Sequence, residues 1–172
     1  MKIKILPLFL IIIFFLIFVI FYLGLQNPNI YTPKIKLKED IPSFKAKIFE
    51  QEIKINSEKI FNDDKFYLLN IWASWCIPCR DEHFYLTKLS SEKKLNIVGL
   101  NYKDNDKNAK SFLNKLTNPY DIILSDRDGL IAIEWGAYGV PESFLIHDKK
   151  IIKKIIGPIK EDSLVEIINL IK

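Results

Sequence analysis

The apolar run Phe66-Tyr67-Leu68-Leu69-Asn70-Ile71-Trp72 leads directly into Trp75-Cys76-Ile77-Pro78-Cys79. Such a run has the length and character of a strand covered on both faces, and a helix-compatible stretch follows it. The chain contains 2 cysteines in all, so the two thiols have only each other to pair with. A disulfide closing so small a loop restricts the unfolded chain little, which makes a structural staple a poor explanation. A dithiol between a buried strand and a helix points to redox chemistry.

That position also supplies the reactivity. A cysteine attacks as thiolate, and a free pKa of about 8.5 leaves little thiolate at neutral pH. A helix amino terminus offers unpaired N–H groups and a positive dipole end to the sulfur. Pro78 suits the first turn, where its missing N–H would be unpaired anyway. Cys76 is therefore the expected attacking thiol and Cys79 the resolving one, acting through a mixed disulfide.

Other side chains near the pair carry competing readings. His83 lies one turn beyond Cys79 and raises a zinc or copper site. Cys76, Cys79 and His83 make three ligands at best, with His147 far along the chain, whereas structural zinc takes four. A helix-surface or packing role is the expectation for His83, and no metal is expected. Asn70 interrupts an apolar strand and either faces the dithiol or sits half-buried at the strand end. Glu82 and Glu142 are acids that raise a nearby thiol pKa or are simply solvated, and Glu82 reads as the solvated one. Pro141, just ahead of a strand in a turn-like context, is a candidate cis peptide.

The amino-terminal segment is of a different kind. From Ile5 to Leu25 there is no charge, and as a helix the run is about 30 Å long, enough to cross a bilayer core. It exceeds the apolar core of a cleaved signal peptide, and the first alanine is Ala46, so no Ala-x-Ala-like site follows. An uncleaved anchor is expected, with Tyr22 at an interface. Lys2 and Lys4 on one side and Lys34, Lys36 and Lys38 on the other leave orientation undecided by charge. A short inner tail with the larger domain translocated is the natural arrangement. The formal charge of +4, half of it from Lys2 and Lys4, is too weak and scattered for nucleic acid.

The expected organisation is a tail over 1–4, an anchor over 5–25, a proline- and lysine-rich linker over 26–42, and one domain over 43–172. Within the domain, Ser43–Ile55 reads as a short hairpin. Cys76 to about Lys93 reads as a helix, Leu95–Asn101 as a second buried strand and Asp106–Leu116 as an amphipathic helix. Asp121–Leu124 is a short strand and Leu130–Trp135 a short helix. Ser143–His147 and Ile151–Ile156 form a hairpin, and Glu161–Ile171 a last helix. A β-α-β-α half followed by a β-β-α half describes an α/β fold, a mixed sheet with helices on both faces.

These pieces resemble the thioredoxin superfamily, and within it the membrane-anchored DsbE/CcmG branch, the thiol:disulfide interchange proteins of cytochrome c maturation. The blocks that carry the resemblance are Leu68 to His83, Gly99 to Asp104, Asn118-Pro119-Tyr120 and Tyr138 to Ile146. The resemblance implies a thioredoxin fold behind one transmembrane helix. It implies that Pro141 is a cis-proline facing the dithiol and that the Val140 backbone pairs with substrate. Asn70 falls where other thioredoxins carry a buried acid, Glu82 and Glu142 match acids of the branch, and Trp75 and Pro78 belong to the site block. Val140 and Ser143 depart from the commoner alanine and threonine.

The implied role is a dithiol reductant in the periplasm, anchored by a single pass in the inner membrane and expected to be a monomer. It would keep apocytochrome Cys-x-x-Cys-His thiols, or a partner reductase, reduced for haem attachment. Electrons would come from a membrane thiol transporter of DsbD/CcdA type, with no cofactor beyond the cysteine pair. Rival readings are a general or oxidase-assembly thioredoxin-like reductase, a metallochaperone using Cys76, Cys79 and His83, and a redox-inert binding module. The motif itself carries no direction of electron flow.

Overall fold

The computed structural model of the protein describes residues 5–26, 39–61 and 65–172. The expected tail over 1–4, with Lys2 and Lys4, lies outside the described residues. So does most of the expected linker, including Lys34, Lys36 and Lys38. The apolar segment and the domain are separate compact units.

The first unit is a single helix, α1 (Ile5–Gln26). Pro7 falls in its first turn, where a missing N–H breaks no intrahelical bond. Its stretch Leu6–Leu25 has a mean hydropathy of 3.2 and no part of it is buried. It is long and apolar enough to cross a membrane.

The second unit is built on one seven-stranded sheet. Its strands are β1 (Lys45–Ile48), β2 (Lys54–Asn56), β3 (Phe66–Trp72), β4 (Leu95–Tyr102), β5 (Ile122–Asp126), β6 (Glu142–His147) and β7 (Lys150–Ile156). Their order across the sheet is β2-β1-β5-β4-β3-β6-β7. The expected hairpin is the antiparallel β1–β2 pair, and β1 also runs antiparallel to β5. Strands β3, β4 and β5 are mutually parallel, while β6 returns antiparallel against β3 and β7 against β6. Asp40 bridges Lys150 at the β7 edge, so the chain meets the sheet before the hairpin.

Three longer helices are α3 (Ile77–Leu89), α4 (Asp106–Leu116) and α6 (Glu161–Leu170), and two short ones are α2 (Ser57–Ile60) and α5 (Leu130–Glu134). α4 starts where the Asn105 side chain accepts from Lys107 N at 2.9 Å, and it buries Ala109, Phe112 and Leu113 at helical spacing. The helix after the dithiol is shorter than its sequence promised, ending at Leu89 rather than about Lys93. Ser90 and Ser91 turn their hydroxyls onto the Thr87 and Lys88 carbonyls at 2.8 and 2.6 Å, which competes with helix continuation.

Strand alternation divides the core into two layers. Leu68, Trp72, Ile97 and Leu145 pack on one face with α3, α4 and α6 residues. Tyr67, Leu69, Ile71 and Phe144 pack on the other with Phe61 and Trp135. Leu68, Leu69 and Ile71 are fully buried, each stabilising the fold by about 1.5–3 kcal/mol. β3 lies inside the sheet between β4 and β6 and, like them, is apolar on both faces, and its carboxyl end delivers the dithiol.

Candidate active site

After β3 the chain turns through Ala73-Ser74-Trp75 and places Cys76 at the N-cap of α3. Cys76 and Cys79 are joined in a disulfide, with Cα atoms 5.3 Å apart. The Cys79 backbone N–H donates to Cys76 Sγ at 3.1 Å. The sulfur thus takes the place of a capping oxygen, and the same N–H and the dipole end favour a thiolate there once the bond is reduced. Pro78 occupies the first turn. Both cysteines are nearly buried, yet the residues beside them, Trp75 and Ile77, are 57% and 73% exposed. The sparingly exposed sulfurs thus sit beside an apolar rim.

Asp104 holds the turn that presents Cys76. Its carboxylate accepts from Ser74 N (2.5 Å), Ser74 Oγ (2.8 Å), Asn101 Nδ2 (3.0 Å) and Asn105 N (2.7 Å). Trp75 Nε1 donates to the Lys103 carbonyl at 3.2 Å, so the indole is tied to the same β4 terminus. The Asn101-Tyr102-Lys103-Asp104 block is therefore the clamp of the dithiol loop, a role that needed the β3–β4 pairing to become visible.

Beneath the dithiol lies a closed polar cluster. Asn70 is fully buried in the middle of the sheet, which replaces the half-buried alternative. Its Nδ2 donates to Glu82 Oε1 at 2.9 Å and to Ser143 Oγ at 3.0 Å, and its Oδ1 accepts from Tyr120 Oη at 2.8 Å. Glu82 is not a solvated acid as expected. It is fully buried, one helical turn on from Cys79, and its second oxygen accepts from Ile159 N at 2.9 Å. Burial pushes its carboxyl up to about 7, opposed in part by the Ile159 and Asn70 hydrogen bonds. Burial also drives the Tyr120 hydroxyl well above its ordinary range, aided by the nearby Glu82 charge, so it is a fixed donor.

The signal for Glu82 was present in the spacing. Cys79, Glu82, His83, Leu86 and Leu89 form the buried stripe of α3, and a residue on that stripe is core-facing whatever its charge. Tyr120 and Ser143 enter the sequence reading only through the resemblance blocks and without a site role, because their partner Asn70 lies 50 and 73 residues away.

The remaining expected residues are placed as follows. Glu142 does not join Glu82: it pairs with Ile71 across β3–β6, whereas Ser143 pairs with Asn70, so alternation sends Glu142 to the opposite face. There its Oε2 lies 2.7 Å from Lys154 Nζ and its Oε1 accepts from Tyr138 N at 2.8 Å. The Lys154 ammonium, which has three N–H groups, also donates to the Gly136 carbonyl at 2.9 Å. With the cation against it, Glu142 exerts little of the like-charge repulsion on a thiolate that its sequence position raised.

His83 is buried rather than on the helix surface. Its Nε2 lies 2.7 Å from the Thr117 carbonyl and its ring stands edge-on to Phe112 at 5.4 Å. Burial lowers its pKa. The Val140–Pro141 peptide is cis, and Val140 packs against both core layers.

Residues 36–168 match the Redoxin family. A thiol:disulfide interchange protein CycY of Rhizobium leguminosarum bv. viciae is 50% identical over 103 residues, 59% of this chain and 55% of the relative. A thiol:disulfide interchange protein DsbE of Yersinia pestis is 40% identical over 147 residues, 83% of this chain and 78% of the relative.

The chain belongs to the Redoxin family.

This Redoxin chain carries the cysteine pair Cys76–Cys79. Its match spans little more than half the length of CycY. A crystal structure of a Chlorobium tepidum protein assigned as a thiol:disulfide interchange protein DsbE superposes with a TM-score of 0.68. It covers 80% of this chain and 96% of its own at 20% identity, a likeness of fold alone.

Proposed function

We propose that this chain is a membrane-anchored dithiol reductant whose domain lies in the periplasm and serves cytochrome c maturation. It would keep apocytochrome cysteines, or a partner thiol reductase, reduced for haem attachment, and be recharged by a membrane thiol transporter. The observation that carries the chemistry is the Cys76–Cys79 pair capping α3 with buried Glu82 one turn behind Cys79. The pathway assignment draws on the sequence blocks that resemble the DsbE/CcmG branch. The anchor and its location draw on the apolar helix α1.

In the reduced protein, the Cys76 thiolate attacks one sulfur of a substrate disulfide, and the other substrate sulfur leaves as a thiolate that takes a proton from solvent. The Cys79 thiol then loses its proton to the Glu82 carboxylate and attacks Cys76 Sγ. The second substrate sulfur leaves as a thiolate that takes a proton from solvent, the Cys79 proton passes from Glu82 to solvent in turn, and the protein holds the disulfide. The substrate gains two electrons and two protons, and the dithiol gives up two electrons. A carboxyl titrating at about 7 accepts and returns a proton readily near neutral pH.

The test uses the full chain. Cys79→Ser should accumulate a mixed disulfide with a small aromatic disulfide and Cys76→Ser should not, read by mass spectrometry. In a host that depends on this protein, either variant should abolish holocytochrome c under oxidising conditions. Normal haem attachment in both would overturn the pathway assignment.

A further inference from the structure

Tyr120 reaches the active-site layer from outside the elements that carry the dithiol. Asn118 Oδ1 accepts from Tyr120 N at 3.0 Å, an Asx turn that Pro119 stiffens. The adjoining Asp121 is locked to β4 by Asp121 N to the Ile97 carbonyl (2.8 Å) and Ile97 N to Asp121 Oδ2 (2.6 Å). The ring stacks on Trp72 at 5.4 Å. Its path to Asn70 crosses Gly99, the residue paired with Asn70 on β4. A Cβ at Gly99 would stand 2.9 Å from Tyr120 Cγ and Cδ1 and from Trp72 Nε1. These are stiff ring atoms, so the glycine is what lets the phenol pass.

We infer that Tyr120 is a positioning residue of the dithiol site: its hydroxyl, given to Asn70 Oδ1, fixes which end of the Asn70 amide meets Glu82 and so sets the protonation of the carboxyl that serves Cys79. An amide presents either two donors or an acceptor to a neighbour. With Oδ1 committed to Tyr120, Nδ2 faces Glu82 and Ser143, and that arrangement favours the carboxylate. Without the phenolic donor, Oδ1 is a buried acceptor with nothing to accept from. The amide then gains by turning Oδ1 toward Glu82, which must carry a proton to donate to it.

The groups facing Glu82 are Asn70 on β3, Ile159 N ahead of α6, Tyr120, and Cys79 on its own helix, with Ser143 on β6 joined through Asn70. Its hydrogen-bond donors are neutral. Neighbouring His83 is directed to Thr117 instead. The orientation of one amide is therefore a principal lever on this carboxyl, and the inference rests on the proton-acceptor role proposed for Glu82.

The experiment follows the carbonyl stretch of protonated Glu82 by infrared spectroscopy against pH, on the full chain in detergent micelles. The band is assigned by its loss in Glu82→Gln. Tyr120→Phe should move its midpoint up by about one pH unit, a tenfold change in the proton equilibrium, and move the pH profile of the Cys79 resolving step with it. Incorporating 3-fluorotyrosine at 120, a stronger donor of unchanged shape, should move the midpoint down. Gly99→Ala, which leaves the hydroxyl intact but blocks its path, should reproduce the upward shift. An unmoved midpoint in Tyr120→Phe, or in the fluorotyrosine protein should the phenylalanine variant not fold, overturns the inference. A Glu82→Gln protein whose thiol-exchange pH profile matches the wild type overturns the Glu82 role instead. The two are distinguishable because the infrared midpoint is read without any exchange reaction.

Discussion

Glu82→Gln removes one buried titration while keeping the shape of the side chain. In the folded protein this carboxyl titrates at about 7 against an ordinary value of 4.5. The folded-state value is the higher one, so between these limits the native protein holds a proton that the unfolded chain has released. Stability is therefore fully present below about pH 4.5 and falls as pH rises to about 7, beyond which it levels. A shift of this size corresponds to roughly 3 kcal/mol, lost because ionising the group in place leaves a charge among neutral donors. Urea unfolding of the oxidised full chain in micelles, followed by near-ultraviolet circular dichroism from pH 4 to 8, measures it. Wild-type stability minus that of Glu82→Gln should decline by about 3 kcal/mol across the window.

Two other groups titrate nearby. Burial lowers the His83 pKa, which makes stability rise with pH up to its unfolded value of 6.5, the opposite sign. Burial raises the Asp126 pKa, with the same sign as Glu82 but starting from 3.8. Both are present in both proteins and cancel in the difference. Parallel profiles for wild type and variant would refute the argument, because then Glu82 is not the group whose burial is linked to folding.

Two further substitutions test the scaffold around the site. Asp104→Ala leaves Ser74 N and Asn101 Nδ2 without their acceptor and should cost about 2–4 kcal/mol in urea unfolding. It should also slow exchange with a disulfide substrate, since the loop presenting Cys76 is released; an unchanged rate would show that the clamp serves stability only. Lys154→Met strands buried Glu142 without its cation and should cost about 3–5 kcal/mol, with most of it restored in Lys154→Met/Glu142→Gln. No recovery in the double variant would mean the loss comes from packing of the lysine stem instead.

Much of this protein is legible in local pattern. The charge-free run of α1, the two-faced apolar strand β3, the spacing of α4 and the lone cysteine pair each follow from neighbours within a few residues. Backbone geometry turns such patterns directly into helices, strands and a capped dithiol. The helix end at Leu89 was misjudged because the serines there settle it by bonds to carbonyls rather than by hydrophobic pattern.

The polar interior is a different matter. Glu82 and Glu142 are both acids in site blocks, and although the stripe of α3 marks Glu82 as core-facing, no local pattern says which face of the sheet Glu142 takes. Pairing of β6 against β3 sends one to the dithiol layer and the other to Lys154 on the far face. Asn70 became the hub of a network only when residues 12, 50 and 73 positions away converged on it. A buried polar group takes its energy from partners, and partners at such separations are set by the register of the sheet. Sequence alone thus determined that the chain carries a thiol pair at the head of a helix. The tertiary structure decided which carboxyl stands behind it, because burial without a countercharge is a property of the assembled core.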